Sequence, residues 1–226
     1  MCWSAEADLV AGTAVAGLGL LCLARVRRPR DLPLAAVPLL LGVHQLTEAA
    51  VWLGVDGRIG AAPALWARTA WAVIALPLLP ALVSVGVWCA MGPPGAAGRS
   101  AAGQRRRAGF ALLGVTVAVL LLAALLAHPV TVQVHHHLLA YGTGIPYAPV
   151  LVTGYLLATV GALVAGGDRL LRLLGWLAGA AAVVCALLWR LAFVSTWCAL
   201  AALVSVVLLR WVGSRAGSAV PAAQRR

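Results

Sequence analysis

Long apolar stretches alternate along the chain with short polar ones that carry arginine, and this block pattern sets the architecture. Apolar runs fall at roughly 7–24, 33–54, 65–91, 109–127, 147–165, 172–190 and 196–212, and each is long enough to cross about 30 Å of hydrocarbon as a helix. The dyad alternation of a membrane strand is absent. The pattern predicts an all-α integral membrane protein: a seven-helix transmembrane bundle over residues 1–212 and a basic tail over 213–226. The division between the last two helices rests on Arg190 followed by Ser195 and Thr196, either of which would cap the final helix. Without that turn the same stretch gives six spans. Pro77 and Pro80 fall inside the third block, where a missing donor kinks a helix and turns a carbonyl toward a cavity. The Gly-, Ala- and Pro-rich stretch 92–103 reads as a flexible connection.

Composition agrees with a lipid setting. With 63% hydrophobic and 10% charged residues, the chain lacks the polar material to cover a water-soluble globule. The net charge of +11 points to topology rather than nucleic acid, because the basic residues are all arginines gathered between apolar blocks. They sit at Arg25, Arg27, Arg28 and Arg30, at Arg99 and Arg105 to Arg107, at Arg169 and Arg172, and at Arg210, Arg215, Arg225 and Arg226. Putting these on the cytoplasmic side places the N-terminus outside, in a multi-pass protein of the cell membrane whose partners are the bilayer and a hydrophobic small molecule. The first apolar block runs into arginines rather than a cleavage site, so no signal peptide is expected. The five cysteines are scattered and suggest neither a disulfide framework nor a zinc knuckle.

Acidic residues are few, and this makes their positions informative. Asp31 and Asp168 belong to arginine-rich connections, which leaves Glu6, Asp8, Glu48 and Asp56 for the outer side. Glu48 lies within a span, roughly 24 Å along the second helix, with His44 on the same face one turn below and Gln45 beside them. An ionisable group at this depth faces a bundle interior or a cavity. Two uses follow: a functional pocket, or a His-Glu-Arg network that fixes packing with Arg68 as the third member. The connection from His128 to Tyr147 is the longest outer one and is the expected lid, with His135, His136, His137 and Tyr141 upon it. Imidazoles near a carboxylate suit zinc, copper or iron, although three adjacent histidines cannot all face one site. The alternative is a solvated interfacial loop and no cofactor. Of nine tryptophans, Trp3, Trp52, Trp66, Trp71, Trp189 and Trp197 map to the outer end and Trp88, Trp176 and Trp211 to the inner. Interfacial belts explain much of this. Indole faces also hold cations, and a carboxylic acid nearby can donate the proton that starts a cyclisation. Cys2 has two readings, an N-terminal thiol nucleophile if Met1 is removed, or an interfacial or structural thiol with Cys198 as a possible partner.

The opening Met1-Cys2-Trp3-Ser4-Ala5, the Arg27-Arg28-Pro29 loop with Leu32-Pro33, and His44-Gln45 with Glu48 and Trp52 resemble an uncharacterised family of small multi-pass actinobacterial proteins. That resemblance implies the fold and no reaction. In size, span count and an acid on an early helix, the chain is also similar to the small seven-span terpene cyclases. Such a resemblance implies a proton-initiated isoprenoid cyclase with Glu48 as acid, tuned by His44, and with Trp52, Trp71 and Trp197 lining the pocket. Those enzymes are expected to carry a second acid on a late helix, where this chain has none, so Glu6, Asp8 or Asp56 would have to substitute. Two further classes fit the same residues: a metal-dependent hydrolase or oxidase using His44, Glu48 and the loop histidines, and a proton-coupled transporter or sensor in which Glu48 titrates.

Overall fold

The structure, a computed structural model, describes residues 4–92, 100–135, 138–187 and 193–217. Helix α1 spans Ala5–Ala24, α2 Pro29–Val55, α3 Ala61–Met91, α4 Ala101–Ala127, α5 Ala148–Ala165, α6 Arg169–Leu187 and α7 Phe193–Gly217. Among the described residues, the five helices α1 to α5 are long and apolar enough to cross a bilayer. The protein is thus an all-α membrane protein with one exception. Between α4 and α5 the expected loop folds as an antiparallel hairpin, β1 Thr131–His135 with β2 Leu138–Gly142. Its alternation turns Leu139 and Tyr141 to one face, opposite Val134 and Val132. A hairpin this short has no independent stability, and it is supported by packing Leu139 and the preceding Val130 onto the helix ends.

Local chemistry explains the helix starts. Ser4 caps α1 by accepting from the Ala7 N–H at 3.2 Å, and Asp168 caps α6 by accepting from Leu170 at 2.9 Å. Ser100 accepts from Gly103 and starts α4 at Ala101, earlier than the apolar block suggests. The Ala, Gln and Arg residues after that cap are good helix formers, so Arg105 to Arg107 extend the helix instead of forming a loop. Arg106 then donates to the Ala165 carbonyl at 3.2 Å and ties the start of α4 to the end of α5. Helix α7 begins at Phe193, so Ser195 and Thr196 lie within its first turn rather than ahead of it. Residues 188–192, which hold Arg190, lie outside the described residues.

Helix α2 is the central one: 61% of its most apolar window is buried, against 17% for α5. It packs antiparallel on α1 through small residues. A Cβ on Gly12 would meet Leu46, one on Gly42 would overlap the Ala16 backbone, and one on Gly19 would overlap the Leu39 backbone. Small residues at such contacts let two helices approach closely inside a bilayer. The outward faces carry Val10, Leu112, Leu126 and Val150, an apolar exposure suited to lipid.

The arginine-rich end is closed by one polar knot. Arg215 of α7 donates to both carboxylate oxygens of Asp31 at 3.0 Å each and to the Ala90 carbonyl at 2.6 Å. Its guanidinium also lies 4.9 Å above the ring of the fully buried Trp211. Three helix ends, those of α2, α3 and α7, meet at one side chain. The bidentate geometry is what an arginine fork provides and a lysine does not.

Candidate functional site

The pairs Gly12 with Leu46, Ala16 with Gly42 and Gly19 with Leu39 fix a constant antiparallel register between α1 and α2. Continued toward the hairpin end, that register sets Asp8 against the turn of α2 that runs from Glu48 to Trp52. Asp8 is 0% exposed and lies close enough to Glu48 for their charges to interact. The Trp52 indole N–H faces the same carboxyl without closing a full hydrogen bond. Two acids far apart in sequence are thereby brought together inside the bundle.

One turn below Glu48, the imidazole of His44 is buried, and its centroid lies 5.1 Å from the Trp71 ring at a tilt of 33°. Tyr141 of β2 lies flat on Trp71, with 3.5 Å between centroids and 4° between planes. Its hydroxyl approaches Glu48. Burial first, and then the carboxyls of Glu48 and Asp8, push the ionisation of this phenol above its ordinary range. Tyr141 is therefore held as a neutral phenol beside Glu48. Several polar atoms here, among them both Asp8 oxygens, His44 Nδ1, the Gln45 amide and Trp71 Nε1, have no hydrogen-bond partner among the described residues. Buried polar atoms are almost always satisfied in folded proteins, so a cluster of exceptions sets this region apart from the rest of the bundle.

Beside this cluster opens a cavity of about 340 Å³. His44, Glu48 and Trp71 form one wall, and Leu76, Leu121, Leu151 and Val152 form much of the rest. The volume falls within the range of about 300–1,000 Å³ typical of small-molecule sites, which also combine an apolar lining with a few converging polar groups. At its inner end stands Tyr155 of α5, whose hydroxyl donates to the Ala75 carbonyl at 3.1 Å. That carbonyl is free because α3 widens into a π turn at Ile74–Leu78 around Pro77. With the wider offset, the nitrogen next in line for Ala75 belongs to Pro80 and carries no hydrogen. The proline pair does turn a carbonyl toward a cavity, and a tyrosine has taken it up.

The model of a family of unknown function, DUF6629, matches residues 1–224. The chain belongs to this family. No curated protein and no solved structure matches it. Membership of DUF6629 covers nearly the whole bundle and supplies no chemistry, so the site must be argued from its own residues.

In this DUF6629 member, Glu48, His44 and Asp8 converge, whereas Glu6 is exposed on α1 and Asp56 is exposed at the end of α2. Trp71 lines the cavity. Trp52 packs on the Asp8 side, and Tyr141 backs Trp71 from the hairpin. Arg68 does not close a His-Glu-Arg network through its Nε, which has no hydrogen-bond partner among the described residues. The side chains of His135 and Trp197, residues His136 and His137, and the Cys2 and Cys198 thiols lie outside the described residues. Among the described residues no group of three or more metal-ligating side chains is gathered. Asp31, assigned from sequence to an arginine-rich connection, is buried and paired with Arg215. Tyr155 was not singled out by the sequence. The signal was present as a lone phenol in the middle of an apolar span, which needs a partner there.

Proposed function

We propose that this protein is a membrane-embedded enzyme acting on a hydrophobic, isoprenoid-class substrate, with Asp8 and Glu48 as its proton-transfer pair. The observation that carries this reading is that Glu48, an imidazole and a stacked indole stand at the head of an otherwise apolar cavity, with the buried carboxyl of Asp8 interacting with Glu48 from outside its lining. An aliphatic wall suits a hydrocarbon chain. The carboxyl head suits a reaction that gains a proton at one end and returns it at the other.

In this reading Glu48 delivers a proton to a terminal alkene carbon, which leaves positive charge on its neighbour. Attack by a second alkene of the same chain closes a ring and moves the charge along it. Loss of a proton to the site's base, the partner carboxylate or His44, ends the sequence and makes the product an isomer of the substrate; passage of that proton from the base back to the Glu48 carboxylate restores the acid for the next turnover. Trp71 lines the space in which the cation forms and stabilises it through its ring. No metal or organic cofactor is required. Asp8 also answers the departure from the terpene cyclase pattern, since it supplies from the first helix the second acid that the last helix lacks.

The same reading takes all seven helices as spans, with the N-terminus and hairpin outside and the arginine-rich end in the cytoplasm. Knots at one end and the hairpin at the other agree with helices that alternate in direction. The test is turnover of prenylated alkenes by protein in lipid nanodiscs. Glu48→Gln and Asp8→Asn each lower turnover by about 100-fold or more while substrate still quenches tryptophan fluorescence. Full turnover in Glu48→Gln would sink the proposal.

A further inference from the structure

A second cavity, of about 150 Å³, lies inward of the first and shares with it the side chains of Tyr155 and Leu156. Its other walls are aliphatic, including Leu41, Val83, Leu163, Ala178 and Leu208, except for Thr159, whose hydroxyl is occupied by the Tyr155 carbonyl at 2.9 Å. An aliphatic pocket of about this size has room for a guest of benzene size, close to that of one isoprene unit. The two cavities are thus neighbours, and Tyr155 and Leu156 are the side chains that line both. The Tyr155 ring does not swing freely, because its hydroxyl is anchored on the Ala75 carbonyl.

We propose that Tyr155 is the length stop of the site: a substrate chain enters with its reacting end at Asp8 and Glu48, and Tyr155 closes off the inner cavity to its tail. This rests on the reading of the outer cavity as an isoprenoid site and adds what determines the chain length it takes. Removing the ring joins the cavities and admits about one more isoprene unit. The anchor on the π turn explains why a tyrosine serves here, since a phenylalanine has nothing to fix its ring across the passage.

The experiment is a binding series of geraniol, farnesol and geranylgeraniol to the full chain in nanodiscs, read by tryptophan quenching. In the parent protein, affinity rises with length to a limit and then stops rising. Tyr155→Ala moves that limit one alcohol further and tightens the next longer alcohol by about tenfold, a gain that rests on the packing contacts the extra isoprene unit makes in the inner cavity. Tyr155→Leu, which leaves less of a void, moves it in the same direction by less. Ala178→Phe fills the inner cavity, cancels the gain in the Tyr155→Ala background and leaves the parent series unchanged. If the parent binds the series but neither Tyr155 variant moves the limit, the length stop is overturned and the isoprenoid reading stands. If no alcohol binds parent protein that unfolds cooperatively on heating, both fall.

Discussion

Trp71 and Tyr141 lie face to face, 3.5 Å apart and 4° from parallel, and this contact joins the hairpin to the third helix. Such a stack has almost no lateral offset, the arrangement that ring quadrupoles favour least. The packing of Val51, Leu125, Val130 and Leu139 around it therefore holds the rings together. One consequence is that the hairpin and the Glu48 wall of the cavity share a support.

Removing that support should loosen the hairpin before anything else. With loss of the packed ring costing about 1.5 kcal/mol or more of burial, Tyr141→Ala should raise amide hydrogen exchange over 131–135 and 138–142 by roughly tenfold. Exchange in the interior of α1 should stay as it was. Equal exchange across the hairpin in parent and variant would show that the stack does not hold it.

The raised ionisation of Tyr141 carries a pH signature. A group whose folded-state pKa lies above its unfolded one contributes stability that is complete below the unfolded value, about 10 for tyrosine, and is lost as pH climbs past it. The melting temperature of the parent should therefore fall as pH rises from about 10, and that of Tyr141→Phe should fall less over the same interval. Parallel curves would mean that the phenol gains nothing from being neutral here.

Two glycines on α1 should respond in opposite ways. A Cβ on Gly19 overlaps the Leu39 backbone, whereas one on Gly17 meets nothing within 4 Å. Gly19→Ala should cost about 1–3 kcal/mol through overpacking and also weaken catalysis, since it pushes α1 and Asp8 off α2. Gly17→Ala should be neutral or stabilising by up to about 1 kcal/mol, the helix preference for alanine over glycine. Thermal unfolding in one detergent checks both, and a comparable loss in the two would refute the close-approach register.

Among the described residues, the helices fall within a few residues of the apolar blocks of the sequence, except where Ser100 starts α4 early. Hydropathy reports whether a segment prefers lipid, and this is why it locates helices and says nothing of their register. The approach of Asp8 to Glu48 depends on the small residues between them, a contact that no periodicity in either helix reveals. The proline pair indicated a freed carbonyl, but its partner stands on another helix, 80 residues along the chain. The hairpin was hidden for a different reason: its strands are stabilised by the helix ends beneath them, and their own sequence carries little more than an alternation five residues long.

Asp31 and Arg215 are separated by 184 positions, so a ribosome makes the carboxylate long before its guanidinium. Until α7 is threaded into place, a growing chain holds an acid that has no counterion at the site where it will be buried. Leaving one member of such a pair alone costs about 3–5 kcal/mol, which disfavours closure of the bundle base until the last helix arrives. A chain cut short before Arg215 would leave the Asp31 carboxylate without this partner at the base of the bundle.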